Sequence, residues 1–317
     1  MSKSAGVVDK ADSSGLMRRA MSTDAVFRQD SAKGLRLIHF ATLLAGFTGV
    51  FGKWFTVDSF VITAGRSVVG CAALWFVAKY LGADLRVKSR RDLALMALSG
   101  ALLAGHWFTF FYAIRVSSVA VGLLAFASYP LFVALAEPLV FKEKLHAYDF
   151  AGAAGVAAGL AIIGSGSLHG DSAVLAGLFW GVVSGALCAG CSLASRMAVR
   201  HYHPAAFACW QQLFVALTAL PFAVRGFSVT TGKDAVLLVV MGVAFTAGLQ
   251  MLFIGALKHI RAVTASIVLM LEPVYGILVA MVAIGEIPAL RTVAGGAVVC
   301  GSALAVTVAH ARRKNSA

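Results

Sequence analysis

From residue 35 onward, apolar residues run in blocks of about twenty, the length a helix needs to cross a bilayer, with only short polar connectors between them. The blocks are Leu35–Phe55, Ser59–Tyr80, Leu93–Ile114, Ser117–Phe141, Ala147–Gly164, Ala173–Met197, Pro204–Val224, Ala235–Leu257, Ala262–Gly285 and Pro288–Ala309. A membrane barrel would instead alternate apolar and polar residues in strands of about 10 residues. The pattern therefore predicts an all-α polytopic membrane protein with ten transmembrane helices and no room for a sizeable soluble domain. Residues 1–34 mix Ser, Asp, Arg and Lys without an apolar core before a small-residue cleavage site, so they read as a disordered cytoplasmic tail and not a secretory signal. Residues 310–317 form a short basic tail.

Composition agrees: 60% of residues are hydrophobic and 13% charged, where soluble domains carry about 25% charged residues. The 32 glycines suit close helix packing in lipid. A net charge of +13 need not imply nucleic acid, because basic residues also set membrane orientation. With the N-terminus inside, 21 Lys and Arg fall in the tails and inner connectors and 5 in the outer ones, leaving Arg66 within a helix. Both termini are thus expected in the cytoplasm. The five cysteines lie in or beside apolar blocks and indicate no disulfide framework.

A repeat emerges at an offset of 143 residues. Pro130 falls on Pro273, Glu143 on Glu286, Ala113 on Ala256, Arg115 on Lys258 and Ala151–Gly152 on Ala294–Gly295. Five helices per half is an odd number, so the second half enters the membrane from the opposite side. Two inverted five-helix repeats, 35–165 and 173–309, are an arrangement associated with alternating-access transport at a midplane site.

The stretch Ala265–Glu286 carries Glu272–Pro273 within a block long enough to span the membrane. A carboxylate at mid-bilayer costs about 2.5–3.5 kcal/mol, and proline removes a backbone donor. Glu272 therefore either faces a cavity, where it meets a solute ammonium or exchanges a proton, or is a structural carboxyl bonded to a neighbouring helix.

The segment 106–144, HWFTFFYAIRVSSVAVGLLAFASYPLFVALAEPLVFKEK, resembles the first repeat of the drug/metabolite transporter superfamily, EamA branch. The segment 256–286, ALKHIRAVTASIVLMLEPVYGILVAMVAIGE, resembles its second repeat more closely, and Gly52–Lys53 with Arg66 resemble its opening pair. The likeness implies ten helices, both termini inside, and a central cavity built largely from helices 1, 3, 4, 6, 8 and 9. It also implies carriage of small metabolites across a bacterial inner membrane, with export of amino acids or related compounds the foremost task. Glu137–Pro138 is less typical of the first repeat.

Candidate solute-binding residues are Glu272, Arg66, His106, Trp107, Phe110, Gln250 and Tyr275, with Pro130 and Pro273 as candidate kink or gating positions. Arg66 is charged at any relevant pH and must pair, snorkel or hold a solute carboxylate. His106, Thr109 and Phe110 share one helical face that either stacks on a planar solute or packs as core. Trp107 falls on Gln250 at the repeat offset, so the two could form opposite walls of one pocket. Trp180 and Tyr129 are weaker candidates, Lys53 reads as an anchor, and Glu137 as a headgroup contact or a partner of Lys142. Trp210–Gln211–Gln212 reads as interfacial or interhelical glue.

Other motifs fail. Residues 46–53, GFTGVFGK, put Phe47 and Trp54 where a phosphate loop needs Gly and Ser or Thr. Cys188-x-x-Cys191 has no second ligand pair, so neither a metal nor a cofactor is expected. Transport would then run on the solute gradient or on proton exchange. The partners expected are a small solute and the bilayer; glycines such as Gly155, Gly159, Gly295 and Gly296 pack helices within the monomer or in a homodimer. A membrane-embedded enzyme acting on a lipid-linked substrate is the alternative. It would need converging nucleophile, base or metal ligands, whereas the histidines scatter to block boundaries and leave His106 alone deep in a helix.

Overall fold

The computed structural model describes residues 32–140, 147–165, 172–260 and 262–314; among these there are helices and short connections and no strand. The tail up to residue 31, Lys142, Glu143, Lys144, Arg261 and residues 315–317 lie outside the described residues. The first half comprises α1 (Ala32–Trp54), α2 (Ser59–Tyr80), α3 (Arg90–Val116), α4 in two pieces (Val119–Phe126 and Tyr129–Val140) and α5 (Ala147–Gly164). The second comprises α6 (Ser172–His201, its last turn 3-10), α7 (Pro204–Phe227), α8 (Gly232–His259), α9 in two pieces (Ala262–Leu269 and Glu272–Ile284) and α10 (Leu290–Lys314). Eight of these, all but α5 and α10, hold described stretches long and apolar enough to cross a membrane; the apolar windows of α5 and α10 are shorter, Phe150–Gly164 and Leu290–Ala305.

Helix starts differ from the hydrophobic pattern because capping side chains pull them outward. Ser89 accepts from Asp92 N and starts α3 three residues before the apolar block, at Arg90. Thr231 and Asp234 form a reciprocal capping box that starts α8 at Gly232. Each satisfies backbone donors that a helix end otherwise leaves open.

The breaks in α4 and α9 are the main departure from continuous helices. They fall at Ala127–Ser128 and Met270–Leu271, which coincide at the 143-residue offset. Pro130 and Pro273 each lie in the first turn after the break. A proline lacks the N–H that a continuous helix would use and disfavours helical geometry in the residue before it. At the start of a helix the missing donor is harmless. The prolines thus begin new segments and do not bend old ones.

Polar contacts gather at two ends of the bundle. At one end Lys53 Nζ donates to Ser117 O (2.9 Å), Arg115 to Phe55 O and Val57 O, Thr56 N to Asp234 Oδ1 (2.9 Å) and Ala120 N to Glu286 Oε1 (3.0 Å). At the other, Lys88 Nζ donates to His201 O (2.6 Å), Lys258 Nζ to Tyr202 O (3.0 Å), Trp210 Nε1 to Leu85 O (2.8 Å), and Arg196 pairs with Glu137. Glu137 therefore bridges to a helix of the second half. Trp210 works as glue, as does Gln211, which donates to Ser195 Oγ (3.0 Å). Gln212 is buried with neither amide atom hydrogen-bonded among the described residues. The bundle's outer surface is apolar, with Phe40, Phe76, Phe150, Phe179, Phe222 and Val282 exposed.

In lipid, apolar burial drives helices together only weakly, so close backbone approach matters more. Such an approach joins α5 and α10. A Cβ on Gly159 would lie 2.7 Å from Gly295 O and 2.8 Å from Val299 N, both backbone atoms that cannot step aside. Gly159→Val should therefore destabilise the protein by about 1–3 kcal/mol, the usual overpacking range. Gly301→Val, on α10 with nothing within 4 Å of the new Cβ, should not. Thermal melts of the two purified variants provide the comparison, and equal melting temperatures would refute this packing.

Candidate functional site

Where the two halves meet, a cavity of about 70 Å³ is lined by side chains from both. One water needs roughly 10–15 Å³ of such space, so there is room for a handful of waters or a small solute. The first half supplies Ala45 and Thr48 (α1), Arg66 (α2), Leu103, His106, Trp107 and Phe110 (α3) and Phe126 (α4); the second supplies Cys188, Cys191 and Ser192 (α6), Leu249, Gln250 and Phe253 (α8), and Leu269 and Glu272 (α9).

The break in α9 explains how Glu272 comes to be here. It is the first residue of the second segment, is 5% exposed, and its side chain makes no hydrogen bond or ion pair among the described residues. Gln250 is buried beside the cavity with no side-chain hydrogen bond among the described residues. A buried carboxyl and a buried amide with unused bonding capacity in the same wall leave polar demand that an occupant can meet.

Arg66 is held against α8, one turn before Gln250. Its Nε donates to Thr246 Oγ1 (2.7 Å) and its Nη2 to Phe245 O (2.9 Å), while its guanidinium carbon lies 3.9 Å from the centre of the Trp107 ring. It is 2% exposed and has no carboxylate partner among the described residues. A permanent cation held this far from water without a counter-charge favours an anionic occupant. His106 is held through Nδ1, 2.7 Å from Ser184 Oγ on α6, and its ring lies against Phe110 and Phe126. Hydrogen bonding of Nδ1 leaves Nε2 with no bond among the described residues.

Six of the seven residues singled out from the sequence converge here: Glu272, Arg66, His106, Trp107, Phe110 and Gln250. Tyr275 stands apart. Three residues beyond Glu272, it turns to α1, its Cβ 2.5 Å from where a Cβ on Gly46 would be. Thr109 also stays out of the wall and donates to Gly105 O of its own helix. Trp180 joins Phe108, Tyr112 and Phe179 in an aromatic cluster elsewhere. Tyr129 is buried beside the site, its hydroxyl 3.0 Å from Ser192 Oγ. The small polar residues of α6 escaped sequence reasoning, although Ser184, Cys188 and Ser192 recur every four residues and so share a face. Thr246 escaped as well, since a lone threonine in an apolar helix gives no such signal.

The comparisons accord with this architecture. The model of the EamA-like transporter family matches the chain twice, at residues 32–165 and 175–308. A solved structure titled "Crystal structure of protein" is 19% identical, covers 89% of this chain and 99% of its own, and superposes with a TM-score of 0.64, a likeness of fold. No curated protein matches. With two tandem matches that together span most of its length, the chain belongs to the EamA-like transporter family, the EamA branch of the drug/metabolite transporters.

Proposed function

We propose that this protein carries small zwitterionic metabolites, amino acids or close relatives, across a bacterial inner membrane, binding them between two inverted five-helix halves. The observation that carries this reading is one cavity holding a buried Arg66 and a buried Glu272, neither paired with a charge of the protein among the described residues. An α-carboxylate suits the guanidinium and an α-ammonium suits the carboxylate. The remaining walls, Leu103, Phe110, Phe126, Phe253 and Leu269, favour an apolar side chain.

Ten crossings, with α5 and α10 included, put both termini on the cytoplasmic side, as the Lys and Arg distribution requires. The division of polar contacts into two ends supports the inversion. α1 finishes at the end where Lys53 lies, and α6, its counterpart, starts there, with Gly177 against Ser117. Export is the direction favoured by family likeness.

Alternating access then requires the halves to part at one end at a time. Towards the cytoplasmic end two contacts join α4 and α6: the Tyr129–Ser192 hydrogen bond and, two turns further along α4 and one along α6, the Glu137–Arg196 ion pair. Glu137→Gln should loosen this junction and favour the inward-open form, and so should Arg196→Gln. The exchanged pair Glu137→Arg with Arg196→Glu should restore much of the wild-type rate, as measured by uptake into vesicles; no rescue would mean that the pair does not latch the halves.

Transport is separated from a membrane-embedded enzyme by one comparison. Purified protein in sealed vesicles should exchange labelled amino acid for unlabelled amino acid trapped inside, and the signal should vanish when the vesicles are made leaky. Chemical conversion of the solute by protein in detergent would favour the enzyme.

A further inference from the structure

We infer that a widened turn of α8 positions Arg66 for its task, and that Thr246 within it is a residue that sets selectivity for a carboxylate. The inference rests on the reading that Arg66 receives the solute's carboxylate.

Residues Val243–Gly248 of α8 form a π-helical turn in which hydrogen bonds skip one residue further than in an α-helix. Within it the Thr246 hydroxyl donates to Met241 O, five residues back, at 2.8 Å. That bond uses the only hydrogen the hydroxyl has. Its oxygen can then act towards Arg66 only as an acceptor, and Nε lies 2.7 Å away. Next to it, Phe245 O takes one Nη2 hydrogen at 2.9 Å. Nε and Nη2 are the side-on edge of the guanidinium, so α8 occupies that edge completely. Trp107 covers a face of the ion.

Three N–H groups are left, two on Nη1 and one on Nη2, and none is bonded among the described residues. One from each nitrogen forms the end-on fork, whose two parallel donors match the two oxygens of a carboxylate. Neither Thr246 nor Phe245 lines the cavity. They act from behind, through the guanidinium, and keep it from turning its side-on edge to the solute. Close packing holds the two helices in this relation. A Cβ on Gly70 of α2 would lie 2.7 Å from Thr246 Cγ2, and one on Gly242 of α8 would lie 2.5 Å from Val69 Cβ.

The test is competition against radiolabelled L-leucine bound to the purified protein, comparing unlabelled L-leucine with L-leucinamide, which lacks the carboxylate. Wild type should prefer leucine. Thr246→Val, which keeps the shape but loses the acceptor, should reduce that preference about tenfold or more, and Thr246→Ser should restore it. Thr246→Ala takes the place of valine if valine prevents folding. A full preference in Thr246→Val, together with its loss in Arg66→Met, would overturn the positioning role while leaving the carboxylate reading intact. Preference retained in Arg66→Met, or no leucine binding by wild type, would overturn the carboxylate reading and this inference with it.

Discussion

Arg66→Met should weaken binding of a carboxylate-bearing solute by about 100-fold, or roughly 3 kcal/mol, within the range for removing one member of a buried charge pair. It should do so without unfolding the protein. Arg66 has no counter-charge among the described residues, so its removal strands no partner carboxylate. Methionine fills a similar volume, and replacing buried charge by apolar bulk is often neutral or stabilising. Thr246 keeps its bond to Met241 O and loses only the guanidinium. Arg66→Lys should fall close to methionine, because an ammonium cannot reach Thr246 Oγ1, Phe245 O and a carboxylate with the same fixed fork. A melt at or above the wild-type temperature combined with lost binding is the expected signature. Lost binding with a collapsed melt would make Arg66 a structural ion.

Glu272→Gln should remove the pH dependence of transport and lower affinity for the solute ammonium by roughly 10–150-fold, the value of a hydrogen bond to a charged group. Glutamine has the same size and retains a carbonyl oxygen, but it carries neither charge nor an exchangeable carboxyl proton. Arg66, His106, Cys188 and Cys191 also line the cavity. His106 supplies the imidazole of the cavity wall, so His106→Gln serves as the control. Uptake into vesicles across the neutral range would separate the two. A pH profile unchanged in Glu272→Gln and flattened in His106→Gln would move the proton site to the histidine, and unchanged profiles in both would remove proton coupling at this cavity.

The sequence made the helical architecture legible because lipid imposes a length and a composition on every crossing. The 143-residue offset carried more than helix count. It aligned Pro130 with Pro273, and the structure places the breaks of α4 and α9 at corresponding positions just before them. Cavity residues were readable where chemistry was anomalous: an arginine, a glutamate, a histidine and a glutamine in apolar surroundings. Tyr275 was misleading because tyrosine is amphipathic and sits comfortably against a helix without facing polar space. Glu137 reads from the sequence as a headgroup contact or a partner of Lys142, which lies outside the described residues; the structure also pairs it with Arg196, 59 residues away on α6, a contact that sequence proximity cannot reveal. Thr246 and the π-turn of α8 were invisible. Their significance depends on the register between α2 and α8, which no periodicity within one helix encodes.

Alternating access at this site means that one cavity between the two halves opens to each side of the membrane in turn. It is tested most directly by a single cysteine at Ala45, a wall position on α1, in protein whose five native cysteines have been replaced. The label is a membrane-impermeant maleimide, applied from either side of oriented vesicles. A cavity that alternates should be modified from both sides, with both reactions suppressed by the bound amino acid. Modification from one side only, whatever the solute, would contradict alternating access.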